Sequence, residues 1–167
     1  VNRDRTELMG LNDGGFSNKS LGDLKDMTID SRGLMWFVNN NHVTPSFFAY
    51  DFTNNGMNSY KSFTNQDGTE VMLNNVRCIA EDTNGNMWIG TNQGPLMLET
   101  DQITANIPIM TQVKVPRNDG TNYADYLLAG TDITACVIDK ANRKWFGTGG
   151  AGIYLIGSDN ISRAFAS

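Results

Sequence analysis

The chain has 167 residues, 40% of them hydrophobic, long enough for a sizeable core and short enough to be one domain or a piece of a larger one. A formal charge of −5 leaves no basic face to track a phosphate backbone, which argues against nucleic acid as a partner. No apolar run reaches the roughly 18 residues that span a bilayer, so no membrane insertion is expected of this segment.

In chain order, residues 1–23 open with VNRDRTELMG, which has neither an initiator Met nor a signal-peptide core; a matured or excised chain is expected. This segment is expected to complete or cover a blade edge. Residues 24–70 form a first unit, with apolar Leu24 and Met27 leading into DSRGLMW, which holds Asp30, Gly33 and Trp36. After Trp36 the pattern continues as FVN and a long turn, NNNHVTP. Its single histidine, His42, has no second ligand at zinc spacing and reads as a solvated loop residue.

Residues 71–118 repeat the pattern: Val76 and Ile79 precede DTNGNMW, with Asp82, Gly85 and Trp88, and then MWIG, GTNQG and PLMLE. Residues 119–167 open with an insert carrying Tyr123 and Tyr126, and then repeat it again. Ile133 and Cys136 precede DKANRKW, with Asp139, Asn142 and Trp145, followed by KWFG, GTGGAG and GIYLI. Weaker fourth strands are expected at 60–63, 111–115 and 161–165.

The tryptophans stand 52 and 57 residues apart, an interval at which a supersecondary unit recurs and a catalytic centre does not. Each unit reads as strand, tight turn, strand, tight turn, strand. Apolar residues on both parities of the leading strand predict burial on both faces. The fold class is therefore all-β: three four-stranded antiparallel β-propeller blades, a partial propeller or a fragment of a larger one. Within the motif the Asp carboxylate is expected to accept from turn amides and the Gly to supply positive φ. Asn142 replaces that Gly in the third unit, and Asn is the side chain that best tolerates the left-handed region. The Trp is expected to pack between neighbouring blades.

Catalytic templates fail. The motif approaches the sialidase Asp-box, but Asp to Trp is six positions here instead of five, and the lysines and arginines are scattered singly. GTGGAG is followed by another strand, so no helix N-terminus is available to hold phosphate. A lone His and two cysteines without ligand spacing predict no metal, no cofactor and no enzyme; Cys78 and Cys136 read as small buried residues.

The run V-x-C-I-A-E-D-x-x-G-N-M-W-I-G-T-x-x-G over residues 76–94 resembles the two-component regulator propeller repeat, found in periplasmic sensor regions of Bacteroidetes hybrid histidine kinases and in secreted proteins. Residues 115–156 with 34–51 are similar to PorZ-like proteins of the type IX secretion system. That resemblance implies an exported chain, periplasmic or at the outer-membrane surface, linked to lipopolysaccharide. Three functions stay open: a PorZ-like binding or assembly module, a kinase sensor propeller for an oligosaccharide, and a glycan-processing enzyme. Tyr123 and Tyr126 are candidate ligand or partner contacts, either stacking on sugars or covering a blade edge. Other blades of the parent protein, or a second copy, are the expected partners, because three blades alone leave open faces. The isolated chain is expected to self-associate or to close its ends with residues 1–23.

Overall fold

The structure is a computed structural model that describes residues 24–40, 46–158 and the backbone of 162–165. His42 and the segment 1–23 lie outside the described residues. The first blade is a sheet of β1 (Leu24–Ile29), β2 (Met35–Asn39), β3 (Ser46–Asp51) and β4 (Gly56–Tyr60), each antiparallel to the next. The short β5 (Thr64–Asn65) leads to the middle blade, β6 (Val76–Glu81), β7 (Met87–Thr91), β8 (Gly94–Leu98) and β9 (Ile109–Thr111). β10 (Lys114–Pro116) and β11 (Ala124–Tyr126) make a separate hairpin. The third blade is β12 (Ile133–Ile138), β13 (Lys144–Thr148), β14 (Ile153–Ile156) and β15 (Ser162–Phe165).

The first strands of the blades lie side by side, β6 packing against β1 on one flank and β12 on the other. Each of the three carries a register break at the same place, between Leu24 and Met27, Val76 and Cys78, and Ile133 and Ala135. A bulge there bends the innermost strand of every blade and increases its twist.

Alternation along β2, β7 and β13 decides what fills the space between blades. Trp36 and its facing neighbours share one cluster with Ile79, Met87 and Ile89 of the middle blade. Trp88 looks the other way, into a cluster with Ile133, Phe146 and Ile156 of the third. Both indoles are fully buried. Trp145, on the far side of the third blade, is only half-buried, because no described blade follows it.

The same reasoning corrects the expectation that every leading strand is buried on both faces. It holds best for β6, which has a blade on each side. In β1, Met27 and Ile29 are 64% and 66% exposed, and in β12 Val137 is 60% exposed. The sequence pattern of an inner strand is present in all three, but among the described residues only the middle one has a blade on both sides.

Two further departures concern blade edges. The fourth strands of the first two blades begin earlier than expected, at Gly56 and Ile109. The expected strand at 111–115 instead divides, its last two residues entering the β10–β11 hairpin. Thr64 and Asn65, within the first unit's stretch, pair parallel to Ile109 and Met110 and add a fifth strand to the middle sheet.

Candidate functional site

The three motif turns share one geometry. Asp30 Oδ1 accepts from the N–H groups of Arg32 and Leu34, each at 2.9 Å, and its Oδ2 accepts from Trp36 Nε1 at 2.7 Å. Asp82 does the same for Asn84, Asn86 and, at 3.1 Å, the Trp88 indole. Asp139 does so for Ala141, Arg143 and, at 3.2 Å, the Trp145 indole. Gly33, Gly85 and Asn142 all sit at positive φ, +84°, +82° and +60°. Desolvation pushes the Asp139 carboxyl up, and the donors from Arg143, Trp145 and Ala141 outweigh it, holding the group down at about 2.

These turns are stitched together around one end of the stack. Arg32 donates to Gly85 O at 2.7 Å and lies 2.8 Å from Asp30 and 3.6 Å from Glu81. Ser31 donates to Glu81 through both its N–H and its hydroxyl. Thr83 N–H donates to the Asn142 side chain at 3.1 Å. Every motif carboxylate is thus engaged in holding a turn and an indole.

A fourth copy of this turn escaped the sequence reading. Asn65 Oδ1 accepts from Asp67 N and Thr69 N, Gly68 N–H donates to Asn65 O, and Gly68 has φ +75°. The position of Trp is Val71, so no indole N–H needs the second atom of the side chain. Asn65 Nδ2 instead donates to Gln112 Oε1 at 2.8 Å and to Tyr126 OH at 3.1 Å. An aspartate is required where the partner is an indole donor, and an asparagine where the partners are acceptors. The spacing N-x-x-G-x-x-V was the available signal.

At the other end of the stack lie the connections between blades. Asn40 and Asn92, both four residues after their Trp, accept through Oδ1 from backbone N–H groups leading into β6: Val76 at 2.6 Å, and Asn74 and Asn75. The β10–β11 hairpin packs over this end. Tyr126 donates to Asp67 at 2.6 Å and lies under Lys114 Nζ, 5.9 Å from the ring centre. The Asp67 carboxyl is held low by Lys114 and then by Tyr126, while the Tyr126 hydroxyl is pushed up by the bond to Asp67 and by burial. Tyr126 is therefore committed to anchoring the hairpin. Tyr123, near its tip, is 69% exposed.

A groove of about 250 Å³ opens between the end of β4 and the loop before β9, lined by Ser59, Lys61, Ser62, Thr64 and Asn106 over buried Tyr60. Tyr60 donates to Ile103 O at 2.7 Å, and burial pushes its hydroxyl up to about 12. Among the described residues no group of three or more His, Cys, Asp or Glu is arranged to hold a metal ion. Nor, among them, is any helix long and apolar enough to cross a membrane.

Residues 71–93 match the family model described as two component regulator propeller. Curated proteins yield no match. Among solved structures, PorZ, a bacterial surface component of the type-IX secretion system of Porphyromonas gingivalis, superposes with a TM-score of 0.71 at 21% identity over 85% of this chain and 21% of that one. The extracellular domain of a B. thetaiotaomicron hybrid two component system gives 0.48 at 17% identity over 84% of this chain and 16% of that one. That of a one component system from the same organism gives 0.42 at 18% identity over 86% of this chain and 24% of that one. The chain thus spans about a fifth of the length of these structures. Its fold is that of β-propeller blades.

Proposed function

We propose that this chain is a non-catalytic binding and assembly module of an exported envelope protein, acting at the periplasmic or outer-membrane surface in the manner of PorZ-like proteins. The observation that carries this reading is that Asp30, Asp82 and Asp139 each commit both carboxylate oxygens to turn amides and an indole N–H. Their repeat therefore builds blades, and recognition is left to the connections. The likeness to PorZ, at 21% identity, supports the fold on which the reading rests.

Two surfaces fit such a role. Tyr123 offers an unencumbered ring for stacking on a sugar of an oligosaccharide or lipopolysaccharide. The outer face of the third blade, with Val137 60% and Ile153 53% exposed beside Trp145, continues the pattern by which Trp88 meets the third blade. It suits a further blade of the parent protein or a second copy of the chain. Titration calorimetry against lipopolysaccharide and a panel of surface oligosaccharides tests the first surface. Saturable binding weakened at least about tenfold by Tyr123→Ala is expected, with no turnover of glycosides. Absence of binding across the panel, or release of reducing ends, would overturn the reading.

A sensor propeller of a hybrid two-component kinase is the second reading, favoured by the match of residues 71–93 to the regulator propeller model. The parent gene separates the two: a transmembrane helix and kinase after the propeller select the sensor, and a β-sandwich with a secretion tail selects the assembly module.

A further inference from the structure

The repeat fixes which side chains meet between blades. Counting back from the motif Asp, the fourth residue points to the next blade and the third points back to the previous one, because neighbours on a strand alternate. At the first interface these positions are Asp26 and Ile79, and Asp26 Oδ2 accepts from Ile79 N at 2.9 Å. At the second interface the same two positions are Cys78 and Cys136.

Both sulfurs converge on one short piece of β7. A Cβ placed on Gly90 would lie 2.3 Å from Cys78 Sγ, so the absence of a side chain there is what leaves room for the thiol. Cys136 Sγ lies 3.9 Å from Trp88 O, two residues away. Cys78 is buried in the cluster between the blades and Cys136 packs against the same cluster. Their contact pushes the Cys136 thiol well up, through the hydrogen bond with Cys78 first and burial second, so little thiolate is present at neutral pH.

We infer that Cys78 and Cys136 are a disulfide site which, when oxidised, staples the middle blade to the third. The step is exchange with a small-molecule disulfide such as oxidised glutathione. The two protein thiols lose their hydrogens and form one S–S bond, while the S–S bond of the oxidant is cleaved to two thiols. With the Cys136 thiol pushed up, exchange there is slow, which makes this a stabilising cross-link and not a rapid sensor. The staple ties positions 58 residues apart at an interface otherwise held by side-chain packing, the Arg77–Asp132 ion pair and the hydrogen bonds from Thr83 to Asn142 and from Gly94 N–H to Thr131 O.

The test compares the same equilibrium in two states of the chain. The intact protein is equilibrated with reduced and oxidised glutathione at graded ratios, in native buffer and in a denaturing concentration of urea. After acid quenching and alkylation, mass spectrometry counts cross-linked, free-thiol and glutathione-bound forms. Thermodynamic linkage makes the ratio of the native to the denatured cross-linking constant equal to the gain in folding equilibrium. The expected ratio is roughly 30- to 1000-fold in favour of the native state. The melting temperature of the cross-linked form is expected to be higher by about 5–15 °C. A ratio at or below one, or native protein that accumulates only singly glutathione-bound forms, overturns the inference.

Discussion

The two interfaces between blades solve the same packing problem with different materials. Between the first and middle blades Trp36 stacks on Tyr60 with ring centres 5.8 Å apart, Tyr60 stacks on Phe47 at 4.6 Å, and Phe47 on Phe63 at 5.8 Å. Between the middle and third blades Trp88 meets Phe146, tilted at 5.8 Å, and takes Lys144 Nζ over its ring at 5.3 Å. Around them pack Ile133 and Ile156, and where the middle blade comes closest to the third the groups are small: Gly90, Cys78 and Cys136. One interface depends on stacked aromatic area and the other on close backbone approach. The difference teaches that a repeat conserves the turn that sets blade geometry while the filling between blades is improvised from local volume.

The largest expected effect lies on the aromatic side. Trp36→Ala removes a fully buried ring from that stack and should cost about 3–5 kcal/mol, read as a fall in the urea midpoint. On the other interface Gly90→Ala drives a methyl into Cys78 Sγ at 2.3 Å and Ile133 Cγ2 at 2.9 Å, for an expected loss of about 1–3 kcal/mol. If Gly90→Ala proved neutral, the claim of close approach would fail. Asp82→Asn keeps the turn acceptor but confronts the Trp88 indole with a second donor, at a cost of about 1–2 kcal/mol by the same measurement. The opposite exchange, Asn65→Asp, turns a donor away from Gln112 and should be destabilising too, through a different partner.

A pH series isolates Asp139. Its carboxyl is held down at about 2 in the folded chain against an unfolded value near 3.9, so the folded state favours the ionised form. That contribution is complete above about pH 4 and is lost as pH falls through about 2. In Asp139→Asn the acid-side slope of stability over this window should flatten, which urea midpoints between pH 2 and 5 would register. The smallest effect is expected on the outer face of the third blade: Trp145→Ala, at a half-buried ring that donates to Asp139 and lies under Arg143, should cost about 1 kcal/mol. A loss as large as that of Trp36→Ala would mean that another surface already covers the third blade.

How much of this was legible in the sequence follows from where each signal resides. The turns were legible because their chemistry is local: Asp, Gly or Asn, and Trp stand within seven residues, and the positive φ of Asn142 follows from its type. The Asn65 turn was missed because both its ends were substituted, Asp by Asn and Trp by Val71, although the geometry survived. Tyr123 and Tyr126 look alike in sequence, yet one is exposed and the other tied to Asp67 and Asn65, because only the fold brings residues 65–67 beside the hairpin. The cysteines read as two isolated small residues, since their proximity depends on which face each takes in different repeats. Exposure of Met27, Ile29 and Val137 was foreseeable only in general terms, as a property of whichever blade comes first or last.

The two-residue strand β5 has a consequence for solubility. By pairing with Ile109 and Met110 it occupies the outer edge of the middle blade with the chain's own backbone. Bare strand edges are templates on which other molecules polymerise, and this one is filled before any neighbour can reach it. The connection between two blades thereby also serves as a guard against fibre growth, at a position where an aliphatic and a thioether side chain would otherwise invite it.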